Sequence, residues 1–584
     1  MEITLRGKIL PALVIKNEDI KSQKLAIKRG AYNLKKVRSV SAPPGRIPVA
    51  VIKLCENLSR YYIAPIGQTL KLFIPSAIAS AKDFPTTPSH ERGMLNHKET
   101  AECVIGSLQE RIQHYKTIIR QALANEKNIC IFTPTINIAE FIHSALSDLP
   151  RPPTLIHGGL ARGALVRAAL VYKNNKSASC LVATPVALSI LNGEEIIILE
   201  DADSAHYQRS DTPILNYREA IRLYCELTNS RFVLGKYFQS LGDLLNQTSV
   251  HYISSRIKPQ KQFIITAAPP LSKTLIGDGV KSILEQNKKT LVFVSRKGYF
   301  TFVLCNNCSN TLECKNCGAL LIMSASKDKN YQCNKCLQTY ASDLACSHCG
   351  GWDLKGYGIG TGHVHELIKN LFSDRPIWLF DEASLKTTKE RKTLVDLFNR
   401  SQNGVLVGTD LLLEESGIIA DLATVLSIDN LFSIPDLTIS ARIFTILCKL
   451  KDKAPEEPAV IQTRFPDHPI FLRTSNQDIK GHLTEELEER KREHLPPYTL
   501  AIKLTIDEKN KERRESKVAE ISRRLGKFKD LTSSYPVLGD PSRHIVLLVV
   551  EKRAWQANQD NLVSVVESCL DIAASIAVDP ESIL

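Results

Sequence analysis

The sequence predicts a multidomain α/β protein with two parallel-sheet lobes, a cysteine-rich insertion in the second, and smaller segments at each end. Three observations carry this. At 584 residues the chain is longer than one hydrophobic core organises. Short apolar runs alternate with amphipathic stretches through its middle, the pattern of strands and helices in a parallel sheet. Eight of the fifteen cysteines fall in four Cys-x-x-Cys pairs between Cys305 and Cys349.

Taken in order, residues 1–78 mix short apolar runs with basic residues, Lys24, Lys28, Arg29, Lys35, Lys36 and Arg38 among them. They end in YYIAPIGQTLKLFIP, where Gly and Pro punctuate strand- or helix-forming pieces. Residues 79–100 are polar and lack periodicity, as a linker does. A first α/β lobe is expected over 101–258: the helical stretch QERIQHYKTIIRQALAN, then ICIFTPT, SCLVAT, IIILEDAD and RFVLG as strands. A second is expected over 259–304 and 352–480, with TLVFV, PIWLFD, GVLVGTD and TVLSID as strands. The cysteine module occupies 305–351. A charged helix, EELEERKRE, and LPPY open a C-terminal α+β domain over 481–584.

The four pairs are Cys305/Cys308, Cys314/Cys317, Cys333/Cys336 and Cys346/Cys349. Two intervening residues let a tight turn aim both thiolates at one ion, and two such knuckles complete a tetrahedral site. Eight ligands therefore imply two structural Zn²⁺, with outer pairs nested around inner ones. His348 is expected to point outward. The other seven cysteines sit among apolar neighbours and read as small core residues.

The apolar share of 43% and charged share of 23% suit a globular chain and exclude a disordered one. Lys and Arg exceed Asp and Glu by 75 − 62 = 13. That excess is the footprint of a nucleic-acid partner, or of a basic solvated surface. Neither a signal-type apolar region at the start nor a run of about 20 uncharged apolar residues occurs, so a cytoplasmic location and no membrane partner are expected.

Several segments resemble the PriA family of primosomal superfamily-2 DNA helicases, in family order. They are SRKGYFTFVLCNNCSNTLECKNCGALL, CSHCGGWDLKGYGIGTGHVHEL with its Gly358-Ile359-Gly360-Thr361 turn, VLVGTD, LFSIPDLTISARIF, VIQTRFPDHPIF, ERKREHLPPY and VDPESIL. LSRYYIAPIGQTLKLFIP resembles the end of the family's domain for the 3′ end of a DNA strand. The resemblance implies two RecA-like helicase lobes, a double zinc-knuckle insertion, a small β-rich N-terminal DNA-binding domain and a nucleoid-associated role in replication restart. Implied partners are branched forks and single-strand/duplex junctions, primosome components, the replicative helicase or its loader, and single-strand-binding protein. Candidate DNA contacts are Lys35, Lys36, Arg38, Arg60, Tyr61, Arg296 and Lys297.

The departures are concentrated in the ATP machinery. The family's GxxxxGK[ST] loop aligns near Ile105–Arg111, where the Gly-Lys-Thr is absent and Glu110 would repel phosphate. The family's Asp-Glu-x-His becomes Glu200-Asp201-Ala202-Asp203, readable as a metal site or as a solvated strand end. Its Ser-Ala-Thr motif aligns with Lys236-Tyr237-Phe238, and its glutamine-and-arginine motif with Cys448–Lys453. Four parts of one machine are missing, so fork recognition without ATP hydrolysis is expected, and neither ATP nor Mg²⁺ as a cofactor. An active 3′→5′ helicase with an atypical nucleotide site is the alternative.

Overall fold

The computed structural model describes residues 2–5, 8–11, 37–39, 47–79, 101–175, 177–191, 196–253, 263–269, 275–295, 300–316, 320–324, 331–333, 338–340, 344–356, 360–433, 437–537, 540 and 542–580, the three N-terminal stretches by backbone alone. These three are strands β1 (Glu2–Leu5), β2 (Lys8–Pro11) and β3 (Val37–Ser39), in an antiparallel sheet of order β2-β1-β3.

The first lobe is built on β4 (Glu102–Ile105), β5 (Ile129–Phe132), β6 (Thr154–Ile156), β7 (Cys180–Ala183), β8 (Ile196–Leu199), β9 (Arg231–Lys236) and β10 (Ser249–Tyr252). They form one parallel sheet of order β10-β4-β9-β8-β5-β7-β6. Its central strands β5, β7 and β8 are buried at every residue, as sheets covered on both faces require.

The second lobe starts with β11 (Phe263–Ala267) and β12 (Thr290–Val294). The chain then leaves through β13 (Phe300–Cys305), β14 (Leu321–Ser324), β15 (Tyr331–Cys333), β16 (Thr339–Tyr340) and β17 (Leu354–Gly356), a small antiparallel sheet. It returns through β18 (Ile377–Phe380), β19 (Val405–Gly408), β20 (Leu422–Ser427) and β21 (Ala459–Thr463). The second parallel sheet has the order β11-β21-β20-β12-β19-β18. Strands β22 (Thr499–Asp507), β23 (Thr532–Pro536), β24 (Arg543–Glu551) and β25 (Ser575–Val578) form the antiparallel C-terminal sheet, of order β23-β24-β22-β25.

Two expectations are corrected. The first 78 residues are not uniformly β-rich: helices Val49–Tyr61 and Ile66–Phe73 follow the strands, started by Pro48 and Pro65 at their N-caps. Their apolar faces (Val51, Leu54, Leu58, Phe73) share one core with Leu199 and Leu234 of the first lobe and with Leu500 and Trp555 of the C-terminal domain. The Trp555 indole Nε1–H donates to the Tyr61 carbonyl at 3.1 Å, which ties this seam. Second, the boundary placed at 481 falls inside a helix, Ile479–Arg492, whose Leu483 belongs to the second lobe's core. The C-terminal sheet begins only at Thr499.

Among the described residues no helix is long and apolar enough to cross a membrane.

Candidate functional site

In an open parallel sheet, the loops at the carboxyl ends of the strands build the site. At that end of the first lobe lie Gly106-Ser107 after β4, Glu200–Asp203 after β8, and Tyr237-Phe238 after β9. All three segments are those that the resemblance aligns with ATP motifs.

The loop after β4 opens the helix Leu108–Ala124. A helix start presents free N–H groups and the positive end of the helix dipole, which is how such loops hold phosphate. Here the protein's own oxygens take those amides. Ser107 and Glu110 form a capping box: Ser107 N–H donates to Glu110 Oε2 at 2.8 Å, and Glu110 N–H to Ser107 Oγ at 3.3 Å. Gly106 N–H donates to the Lys236 carbonyl at 3.2 Å. Leu108 N–H donates at 3.0 Å to Asp452 Oδ2, on the second lobe's helix Ile439–Lys453. Glu110 thus does more than repel an anion; with Asp452 it supplies the negative charge that a phosphate would bring.

The carboxylates after β8 are equally committed, which corrects both the metal-site and the solvated-end readings. Glu200 and Arg111 are 1% and 0% exposed. Arg111 grips Glu200 with Nε (3.1 Å to Oε2) and with Nη2 to Oε1, while its Nη1 donates to the carbonyls of Gly106 (2.5 Å) and Lys236 (3.2 Å). Tyr115 Oη donates to Glu200 Oε2 at 2.6 Å. Burial works against the Arg111 charge, but Glu200 and the flanking Tyr237 and Tyr115 outweigh it and hold its pKa well above the ordinary arginine value. Asp201 pairs with Lys449 Nζ of the second lobe at 2.6 Å, with the two side chains 7% and 12% exposed. Asp203 accepts from Lys236 Nζ (3.1 Å) and Arg218 Nη1 (2.5 Å). Lys236 also meets Asp243 at 2.5 Å, so the position aligned with the lost Ser-Ala-Thr motif holds a buried ion-pair network.

Gly235 makes room for this network. A Cβ there would lie 1.9 Å from Tyr115 Oη and 2.6 Å from Glu200 Oε2. Gly235→Ala is therefore expected to displace Tyr115 from Glu200 and to cost about 1–3 kcal/mol, the usual price of overpacking a core. A drop in thermal midpoint with unchanged secondary structure would register it.

These residues do not fit a nucleoside triphosphate with Mg²⁺. The amides that would cradle its phosphates are taken, the carboxylates that would hold Mg²⁺ are paired with cations, and Asp452 stands where arginines are expected.

The second feature is the cysteine module. Cys305 ends β13 and Cys308 follows on a turn; Cys346 and Cys349 repeat the arrangement. The two turns are near copies. Ser309 N–H donates to the Cys305 carbonyl at 2.8 Å and Gly350 N–H to that of Cys346 at 2.9 Å, with left-handed φ of 60° and 71° at Ser309 and Gly350. Antiparallel pairing of β13 with β17, in which Cys305 faces Leu354, brings the knuckles together. The four sulfurs lie within 4.8 Å of one another, Cys305 to Cys349 at 3.5 Å and Cys308 to Cys346 at 3.7 Å. Four thiolates about 2.3 Å from one zinc at tetrahedral corners would sit about 3.8 Å apart, so the set fits one tetrahedral ion. Burial pushes the Cys305 thiol up, but hydrogen bonds from the backbone of Cys308 and Asn307 and from Cys349 bring it down to about 7, toward the ligating thiolate. Four sulfur ligands leave no place for a catalytic water.

Of the inner pairs, Cys314 and Cys333 are placed; Cys317 and Cys336 lie outside the described residues. His348 is exposed, and of the seven scattered cysteines all but Cys448 are buried.

Among the candidate DNA contacts, Lys35, Lys36, Arg296 and Lys297 lie outside the described residues, and Arg38 is placed by its backbone on β3. Arg60 is exposed on the rim of a groove between helix Val49–Tyr61 and the segment holding Val563 and Glu567. The Tyr61 ring is half-buried against the shared core and lies edge-on to Tyr62 at 4.9 Å.

Signals that the sequence left unread were Arg111, Tyr115, Gly235 and Asp452. Arg111 inside an otherwise apolar helix face was the legible hint, since a buried arginine needs a carboxylate partner.

No family model matches the chain. Among curated proteins it is 31% identical over 244 residues to the replication restart protein PriA of Thermotoga maritima, covering 41% of this chain and 33% of that protein. It is 26% identical over 390 residues to PriA of Synechocystis, covering 62% and 46%. It is 22% identical over 572 residues to PriA of Rickettsia felis, covering 90% and 87%. The matches thus span from a third to less than half of the first two relatives. Among solved structures, the DUF1998 helicase MrfA bound to DNA is similar at 11% identity with a TM-score of 0.38, covering 78% of this chain and 59% of that one. An alignment of 572 residues must run through both lobes and the cysteine insertion, so the chain is similar to the PriA replication restart proteins along most of its length.

Proposed function

We propose that this chain recognises stalled or branched replication forks and supports replication restart without unwinding DNA by ATP hydrolysis. The observation that carries the reading is the filled cleft: Asp452 and Glu110 occupy the amides of the helix start, and Arg111 occupies Glu200. A motor needs that cleft open to phosphate in each cycle. The name shared by relatives along nine-tenths of the chain supports the replication-restart part. The excess of 13 positive charges supports DNA as the partner, with phosphate contacts giving affinity and fork shape giving selectivity.

In this reading the outer four cysteines hold one structural zinc, and Cys314, Cys317, Cys333 and Cys336 hold a second. Lys35, Lys36, Arg38, Arg60, Arg296 and Lys297 contact DNA. The protein works in the cytoplasm on the nucleoid, with the replicative helicase or its loader, other primosome components and single-strand-binding protein as partners.

The test is a mobility-shift titration of a branched fork against plain duplex of equal length. Fork binding at least about tenfold tighter, or ~1.4 kcal/mol, is expected, weakening as salt rises. Equal affinities, or ATP-dependent strand separation, would refute the reading.

A further inference from the structure

Two side chains of one helix reach from the second lobe into the first lobe's vacated nucleotide site. Lys449 and Asp452 are three residues apart on Ile439–Lys453, which puts them on one face. Lys449 pairs with Asp201, and Asp452 accepts from Leu108 N–H and from Tyr237 Oη at 3.2 Å. The bonds converge: Tyr237 lies under the Arg111 guanidinium, whose carbon is 4.4 Å from the ring centroid, and Arg111 holds Glu200. Next to them Phe238 of the first lobe is buried in the second lobe's core, edge-on to Phe444 at 5.8 Å. At the cleft margin His206 meets Glu414 at 2.7 Å, and Lys392 meets Glu140 at 2.8 Å. The last pair is largely exposed and adds little. The buried contacts decide the arrangement.

We propose that Asp452 and Lys449 form an internal latch that keeps the two lobes closed on each other in place of a bound nucleotide. This rests on the reading that the cleft takes no nucleotide. The Asp452 carboxylate supplies the anion that bridges the helix start to the opposite lobe, and Lys449 neutralises the carboxylate that a metal would otherwise neutralise. The lobes therefore present one fixed surface, and DNA binding is uncoupled from any nucleotide cycle.

The test uses the full-length protein carrying a dye pair at exposed Lys127 and Lys389, introduced through bio-orthogonal side chains so that the cysteines stay intact. Wild type is expected to show a single transfer population, unchanged by a non-hydrolysable ATP analogue with Mg²⁺. Asp452→Ala with Lys449→Ala is expected to lose that population to one of lower transfer. Hydrogen exchange at the Leu108 amide gives a second readout on the Asp452→Ala single variant, where the amide loses its acceptor and exchange speeds up. If the double variant keeps the wild-type transfer, or the Leu108 amide exchanges equally fast in both proteins, the latch is refuted and the nucleotide-free reading stands. If wild type instead binds the analogue and changes its transfer on binding, the nucleotide-free reading itself fails.

Discussion

Replacing Arg111 with methionine is expected to lower the unfolding free energy by about 3–5 kcal/mol, the cost of stranding a buried carboxylate. Glu200 is almost wholly enclosed and draws two of its bonds from Arg111 and a third from Tyr115. Glu200→Ala is expected to cost as much, because it strands a buried guanidinium instead. The double variant Arg111→Met with Glu200→Met should recover much of the loss, since an apolar pair of similar volume carries no charge to desolvate. Urea denaturation reads all three. In an ATP-hydrolysing site the carboxylate at this place serves a metal, and its loss costs activity rather than stability. A change under about 0.5 kcal/mol, the level of an ordinary surface substitution, would mean that the pair is not the structural element described here.

Removing metal is expected to have the other large effect, confined to the insertion. Structural zinc sites gain about 10–16 kcal/mol on binding, and little else orders such a module. The insertion's core is small, with cysteines themselves among its buried members alongside Val303, Leu312, Leu321 and Tyr331. Chelation is therefore expected to open residues between Cys305 and Cys349 to protease while the two parallel sheets keep their protection. On the proposed two-zinc reading, Cys305→Ser should halve the metal content, because it disables the outer site alone. Equal protease resistance with and without chelator would count against a metal-built module.

Much of the architecture was legible in the sequence. The buried strands β5, β7, β8, β9, β12, β19 and β20 announce themselves as apolar runs of the length a covered parallel strand needs. Strand β4 did not, since a carboxylate opens it and leaves only Cys103–Ile105 as an apolar run, although the strand sets the position of the helix start. The N-terminal helix Ile66–Phe73 was ambiguous because Gly and Pro in YYIAPIGQTLKLFIP suit turns and helix starts alike.

Of the site, each Cys-x-x-Cys knuckle could be read from spacing because it is local, whereas the meeting of the outer two is set by the pairing of β13 with β17. The loss of the ATP motifs was legible as missing residues. What replaced them was not. Arg111 and Glu200 are 89 positions apart, and Leu108 and Asp452 are 344 apart, so these pairs exist only once the lobes are folded and docked. A sequence reading sees a charge in an odd place; only the fold says which opposite charge answers it.

The most direct test of the central claim is calorimetric titration of the full-length protein with ATP and Mg²⁺, with and without fork DNA. The filled cleft predicts no saturable heat up to millimolar nucleotide in either case, and no DNA-stimulated phosphate release. Saturable binding accompanied by phosphate release would show that the cleft opens to nucleotide and would contradict the account.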